Sequence, residues 1–434
     1  MTKLKVILIL VACLSGVSTV WAQVSLTKGG SGADEFELVK SGKAAKLYYD
    51  IRDFEVIKKS AHLFSNDVRL VTDREIAVSE AVEEMSSNCI IVGTLGHNEL
   101  IDKLILKKKL DVSTLKDKWE SFHIEVVRNP FPGVKKALVV VGSDRRGTAY
   151  GLFSISESIG VSPWYWWADA PVAKRKELCL KVQKMTSEEP TVKYRGIFIN
   201  DEDWGLLRWA KTNFEKERGN IGPKTYAKVC ELLLRLKANY LCPAMHEAST
   251  AFNKIPENKL VADSFAIVMG SVHCEPLLFN NASEWDKKTM GDWDYVNNKE
   301  MLDRVLRQRV VDNSPYENVY TLALRGLHDK AMGGSSDMKE RVKLLGDALN
   351  AQRQLLVDVI KKPANEIPQA FTPYKEVLDV YNAGLELPDD VTIIWPDDNY
   401  GYMKRLSSPR EQKRSGRAGV YYHVSYLGKP TTYG

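Results

Sequence analysis

Histidine is scarce, seven in 434 residues, and no two stand as His-x-His; Cys-x-x-Cys is also missing. The first absence argues against the metal-dependent hydrolase barrels that place such a pair on their first strand, so no metal and no other cofactor is expected. Of six cysteines, Cys13 lies in the leader. The other five, Cys89, Cys179, Cys230, Cys242 and Cys274, are odd in number and widely spaced, the pattern of packed small hydrophobes rather than of a disulfide framework. The glycines of Gly142-Ser143-Asp144-Arg145-Arg146-Gly147-Thr148-Ala149-Tyr150-Gly151 lack the lysine and hydroxyl of a phosphate-binding loop, which leaves a tight turn. Beyond the leader no run is long and apolar enough to span a membrane. Charge of one sign is not in excess either. The formal +5 falls to +3 without the leader lysines Lys3 and Lys5, and no basic stripe alternates with aromatics, so nucleic acid is not an expected partner.

What is present is an ordinary globular composition, 44% hydrophobic and 27% charged, with length for two or three domains. Residues 1–22 form a signal peptide: Lys3 and Lys5, an apolar run from Val6, and Val20-Trp21-Ala22 before the cleavage point. Export to the periplasm or beyond follows, with lipidation of Cys13 in Leu10-Val11-Ala12-Cys13 as the minority alternative. An N-terminal α/β domain is expected over 23–185. It opens on a polar, Gly-rich linker (23–45) and holds a strand at Cys89–Gly93. A hairpin turns at Asn129-Pro130-Phe131-Pro132-Gly133 between Phe122–Val127 and Ala137–Val141, and a helix covers Leu152–Ile159. The aromatic run Pro163-Trp164-Tyr165-Trp166-Trp167-Ala168-Asp169 closes it, and 172–190 is the candidate boundary.

From 190 to 434 apolar strands alternate with helical stretches: Tyr194–Ile199, Asn239–Cys242, Phe265–Met269, Val319–Leu324, Gln369–Thr372, Val391–Trp395 and Gly419–His423. Pro223 opens one helix, with Val229, Leu232, Leu233 and Leu236 on its apolar face, and Asp337 with Glu340 is a capping signal for another. The alternation predicts parallel βα units and a (β/α)8 barrel, incomplete because seven strands rather than eight precede Gly434.

Active sites of such barrels lie on the loops after the strands. Here those loops carry Asn200-Asp201-Glu202-Asp203-Trp204, Met245-His246-Glu247, His273-Cys274-Glu275, Arg325 with His328-Asp329, Tyr374-Lys375-Glu376, Asp397-Asp398-Asn399-Tyr400, and His423 with Tyr426. Carboxylates round one pocket suit glycoside hydrolysis: one protonated acid donates to the leaving oxygen and one carboxylate activates water. Crowding and burial are expected to keep one member protonated. Trp204, Tyr374, Trp395, Tyr400 and Tyr426 are candidates for stacking on sugar faces, and Arg325 for a two-pronged pair with a substrate carboxylate. Plainer alternatives stand beside these. Asp201, Glu202 and Asp203 can start a helix, Glu376 can sit on a helix surface and Asp397-Asp398-Asn399 can be a turn. Asp329 can pair with Arg325, and His246, His273 and His423 can be structural.

The stretches Tyr194-Arg195-Gly196-Ile197-Phe198-Ile199-Asn200-Asp201-Glu202-Asp203-Trp204, Pro243-Ala244-Met245-His246, His273-Cys274-Glu275-Pro276, Tyr374-Lys375-Glu376-Val377 and Trp395 with Asp397-Asp398-Asn399-Tyr400-Gly401 resemble glycoside hydrolase family 115, the xylan α-1,2-glucuronidases. The resemblance implies a metal-free, inverting release of glucuronic acid or its 4-O-methyl form from glucuronoxylan or glucurono-xylooligosaccharides. It implies Glu376 as catalytic acid and Asp329 as base, with Asp201, Asp397 and Asn399 as supporting residues. Asn200, Asp203, His246, His273, Arg325, Tyr374, His423 and Tyr426 are the implied substrate contacts. Family members are about twice this length and typically dimers, so the resemblance also implies a C-terminally truncated chain. The competing reading is therefore a non-catalytic protein that binds glucuronoxylan.

Overall fold

A computed structural model describes residues 24–29, 32–80, 85–200 and 202–424. The expected leader 1–22 with Cys13, the implied catalytic Asp201 and the implied contact Tyr426 lie outside the described residues. The protein is mixed α/β with several sheets, and it divides into two compact units between Thr191 and Val192. No helix among the described residues is long and apolar enough to cross a membrane.

The first unit runs β1 (Val24–Thr27), β2 (Glu35–Lys40), β3 (Lys43–Ala44), β4 (Lys46–Tyr48), α1 (Glu55–Thr72), β5 (Val78–Ser79), β6 (Asn88–Thr94), α2 (Glu99–Leu106), β7 (Phe122–Arg128), β8 (Lys136–Gly142), α3 (Arg145–Ser158), β9 (Leu178–Val182) and β10 (Met185–Thr186). One sheet has the order β10-β7-β8-β6-β4-β5, a second β1-β9-β2-β3. The hairpin forms as expected, with β7 and β8 antiparallel from Phe122↔Gly142 to Arg128↔Lys136.

Three expectations are corrected here. Part of the "linker" 23–45 is β1 to β3, and the "boundary" 172–190 contains β9 and β10. These segments pair with each other across about 150 residues, a contact no local pattern signals. Gly147 and Gly151 are not turn residues but lie inside α3, whose first turn is capped by the Asp144 carboxylate. They let the helix approach the sheet closely: a Cβ on Gly147 would sit 2.1 Å from the Ser121 carbonyl oxygen, and one on Gly151 2.6 Å from Val140 Cγ1.

The second unit runs β11 (Gly196–Phe198), α4 (Pro223–Arg235), β12 (Tyr240–Cys242), α5 (Pro256–Ser264), β13 (Val268–Met269), α6 (Lys299–Asn313), β14 (Tyr320–Thr321), α7 (Met338–Ile360), β15 (Gln369–Phe371), α8 (Glu376–Asn382), β16 (Thr392–Pro396) and β17 (Ala418–Tyr421). Each strand falls within or beside its expected span and, β16 apart, is shorter. All are parallel and neighbours follow chain order: β11-β12-β13, one parallel bridge Met269↔Asn318, then β14-β15-β16-β17. The sheet curves. Val268, Val319 and Ala370 pack with Tyr194, Tyr240 and Ile394 in one cluster, and Phe198 of β11 meets Tyr421 of β17 at 5.7 Å between ring centroids.

The helices cover the outer face. Leu302, Leu306 and Val310 of α6 pack with Leu345, Leu349 and Leu356 of α7. Asp337 caps α7 as expected, accepting from the Lys339 and Glu340 amides at 2.8 and 3.1 Å, a contact worth about 1 kcal/mol. Leu236 does not join the apolar face of α4. It follows the last helical residue and is exposed.

Candidate active site

The loops leaving β13 to β17 converge on Arg325. Its guanidinium makes a fork to Glu376, Nε to Oε1 at 3.1 Å and Nη2 to Oε2 at 2.8 Å, and also ion-pairs with Asp329. The Met332 amide donates to the same Glu376 oxygen at 2.9 Å. Asp329 is shared further: His273 Nε2 lies 2.9 Å from one of its oxygens and Lys375 Nζ 3.2 Å from the other. The His273 ring packs on Tyr374 at 4.0 Å, and the Tyr374 hydroxyl donates to Asn399 Oδ1 at 2.9 Å. The Asn399 amide donates to Asp397 at 3.0 Å, and Asp397 accepts from both the backbone and the ring of His423. Glu376, Arg325, Asp329, His273, Tyr374, Asn399, Asp397 and His423 thus form one continuous network.

The loops are held in backbone conformations that non-glycine residues seldom adopt. His328, Asp329, Lys375 and Asn399 have φ of 56, 61, 51 and 72°. Such positions persist where the surroundings over-determine them, and they cluster at sites that must aim side chains. Support comes from behind. Trp293 Nε1 donates to the Arg325 carbonyl at 2.8 Å, and Trp293 itself stacks on Phe279.

Asp203 and His246 form a second pair, at 3.2 Å, with no hydrogen bond to the first network among the described residues. Beneath them is Glu202, fully buried, one oxygen accepting from the Met245 amide at 2.7 Å, the His246 amide at 2.6 Å and Ser249 Oγ at 3.2 Å. Its other oxygen has no hydrogen-bond partner among the described residues. Asn200 is half-buried at the exit of β11.

Charge states follow from these partners. Burial pushes the Glu376 carboxyl up, but the Arg325 fork and the Met332 amide outweigh it and hold the group below the usual carboxylate range. Burial also opposes ionisation of Asp397, and the His423 hydrogen bonds prevail, again lowering it. His273 is driven well below its ordinary value by burial and by the cations Arg325 and Lys375, so the ring is neutral and its Nε2–H donates to Asp329. Crowding was expected to leave a network carboxyl protonated; Arg325 and the Met332 amide remove that effect for Glu376. On the loops after the strands, burial instead raises Glu202 and Glu275. The sequence reading gave neither a catalytic role, for no residue-type signal marks a carboxyl enclosed by the fold.

Two further expectations are corrected. Arg325 is buried, 3% exposed, behind the carboxylates it pairs with, so its fork does not face incoming substrate. Lys375, which the sequence analysis quoted only within a motif, is half-exposed and lies over the Tyr374 ring at 5.0 Å. Trp395 is not a sugar platform. It is 1% exposed, donates to Ser407 Oγ at 2.8 Å and is covered by Arg405. Tyr374 is mostly buried, whereas Tyr400 is exposed.

Ligand atoms of His273, Cys274 and Asp329 lie within 4.8 Å of one another, the spacing of a metal site. The donors do not suit one: burial keeps the Cys274 thiol protonated, and Arg325 and Lys375 already neutralise Asp329. The five described cysteines are free and buried.

Glu275 offers a test of this electrostatic picture. Its folded pKa is raised, so the stability tied to its protonated form is complete below the unfolded value of about 4.3 and is lost as pH rises toward the folded value. Glu275→Gln is expected to flatten the fall in melting temperature between pH 5 and pH 8, stabilising the protein more at pH 8. An unchanged slope refutes it.

Residues 187–434 match the model of glycosyl hydrolase family 115. The chain belongs to that family. It is also similar, at 40% identity and a TM-score of 0.81, to a family GH115 4-O-methyl-α-glucuronidase, BtGH115A, described as specific for decorated arabinogalactans. That alignment covers 92% of this chain and 51% of the enzyme, so the chain spans about half the length of its relative. Likeness in fold alone extends to the Flavobacterium johnsoniae chitobiase (10% identity, TM-score 0.50, covering 90% of this chain and 55% of that one). It extends also to a Streptomyces plicatus β-hexosaminidase (9% identity, TM-score 0.50, covering 91% and 72%). A comparison with curated proteins gave no match. In this GH115 chain the network sits wholly within the second unit, on loops following parallel strands.

Proposed function

We propose that this protein is an exported glycoside hydrolase that removes α-1,2-linked glucuronic acid, or its 4-O-methyl form, from xylan by an inverting two-carboxylate mechanism on a (β/α)8 barrel. The observation that carries the reading is that Glu376, Asp329 and Asp397 are joined by one network of hydrogen bonds, ion pairs and the His273–Tyr374 ring contact, on loops of a family 115 chain. Parallel strands in chain order, with β11 and β17 drawn together by Phe198 and Tyr421, support the barrel.

Inversion requires an acid that protonates the glycosidic oxygen and a base that takes a proton from water on the opposite face of the sugar. Arg325 touches both Glu376 and Asp329, so it can hold one ionised while the other carries the proton. In the unliganded geometry its fork favours ionised Glu376. For Glu376 to act as acid, the fork must loosen as substrate enters and the carboxylate must take up a proton from solvent, while Asp329 stays ionised as the base. His273 holds Asp329 by one oxygen and leaves the other to Lys375.

A second reading concerns the polymer. The 40% identical relative is described as acting on decorated arabinogalactans, so the uronic acid here can also be carried by arabinogalactan. Incubation with methylglucuronoxylan and with glucuronidated arabinogalactan, followed by NMR of the freed sugar, tests both. The expected result is release from xylan with the β-anomer appearing first. Release from arabinogalactan alone would transfer the assignment to that polymer. The α-anomer first would end the inverting mechanism, and binding without release from either would end the hydrolase reading.

A further inference from the structure

Far from the catalytic network in sequence, the first unit carries an open concavity of about 540 Å³ between the end of α2 and the β7–β8 turn. Its walls are Lys107, Lys109, Phe131 and Lys135, with Pro130 and Pro132. The volume falls in the range of ligand sites, roughly 300–1,000 Å³. We propose that this groove is a second binding site, for a uronic-acid-bearing polysaccharide segment, with Phe131 as the sugar platform and Lys107 and Lys135 as the carboxylate-binding cations.

The loop is built rigidly. Asn129 and Gly133 take φ of 47 and 80°, the Asn129 amide donates to the Lys135 carbonyl at 2.9 Å and the Val134 amide to the Phe131 carbonyl at 3.1 Å. Lys109 reaches across from the α2 side and donates to the Asn129 and Pro130 carbonyls, pinning the turn. The Phe131 ring is half-buried, its inner side packed on the core of the unit. A ring so fixed offers a platform with little ordering left to lose on binding.

Lys107, Lys108 and Lys135 are exposed and make no ion pair among the described residues. Lysines at a helix C-terminus commonly answer its dipole. Lys107, which follows α2, instead holds its ammonium over the Phe131 ring at 5.7 Å, and Lys135 comes from a different element altogether. Unpaired cations beside an aromatic face match the chemistry of a uronic acid, which has an apolar sugar face and a carboxylate. A neutral glycan would satisfy the platform alone.

The choice of ligand rests on the proposed uronic-acid-bearing substrate; the test does not depend on turnover. The full chain and a Lys107→Ser/Lys135→Ser variant are run by affinity electrophoresis in gels containing methylglucuronoxylan, uronate-free xylan or single-stranded DNA. Release of uronic acid from a short soluble aldouronic oligosaccharide is measured in parallel. The expected result is at least about tenfold weaker retention by methylglucuronoxylan for the variant, with oligosaccharide cleavage unchanged and retention weakening as salt screens the pairs. Phe131→Ala is expected to weaken retention as well. Equal retention of variant and wild type, equal retention by uronate-free xylan, or DNA held as tightly and with the same lysine dependence would each overturn the proposal. If neither chain cleaves the oligosaccharide while the lysine-dependent retention remains, the hydrolase reading fails and the groove stands.

Discussion

Glu376→Gln is expected to lower uronic acid release by about 10²–10⁴-fold, the range lost when a positioned acid or base is removed. Glutamine keeps the size and planarity of the side chain and can still accept from the Met332 amide. It cannot donate an acidic proton, and it cannot return the charge that Arg325 now meets with both prongs. Asp329 remains on the same guanidinium, so the cation is not left wholly uncompensated and the fold should survive. The measurement is the initial rate on an aldouronic oligosaccharide, with a melting curve alongside. A well-folded Glu376→Gln protein that cleaves at the wild-type rate would remove Glu376 from the chemistry. It would leave the residue as a charge that positions Arg325.

Arg325→Met is expected to be the most damaging single change to the second unit. It leaves Glu376 and Asp329 facing each other with Lys375 as their one remaining cation, and the loss of one partner from a buried pair costs about 3–5 kcal/mol. At roughly 2–4 °C per kcal/mol for a unit of this size, the melting temperature should fall by about 6–20 °C. The pH dependence has a definite sign. The wild-type Glu376 pKa is depressed, so its contribution is present above the unfolded value of about 4.3 and is lost as pH falls through the folded value. The deficit of the variant should therefore shrink as pH falls below about 4.3 toward the folded value, and close where both proteins hold a neutral carboxyl. Arg325→Lys retains the charge without the fork and is expected to lie between the two. A deficit independent of pH would show that Arg325 acts by packing alone.

Much of the second unit was legible in advance. The seven strands were each marked by a short apolar run, Asp337 by its spacing to Glu340, and the loops by ionisable residues directly after each run. The first unit was harder to read. Val24–Thr27 and Glu35–Lys40 look like linker because their partner, Leu178–Val182, lies some 150 residues away, and strand pairing at that distance leaves no local periodicity. Gly147 and Gly151 look like turn residues for the same reason. The neighbours that require glycine are Ser121, just before β7, and Val140 of β8, which come from outside the helix.

Within the site, membership was visible and role was not. Arg325, Glu376 and Asp329 were each on the right loop, yet Arg325 was expected to face substrate and proves to stand behind two carboxylates. Trp395 has the composition of a platform and the environment of a core residue. Lys375 sits between two residues the pattern singled out and is the half-exposed cation of the network.

The residue types, the alternation of strand and helix, the capping and the family were determined by the sequence alone, because each depends on neighbours within a few positions or on the order of motifs along the chain. The charge state of Glu376, the neutrality of His273, the burial of Glu202 and Glu275 and the grouping of Lys107 with Lys135 were decided only by the tertiary structure. Those properties depend on which cation or carbonyl another element brings within about 3 Å, and on how much water is excluded around it.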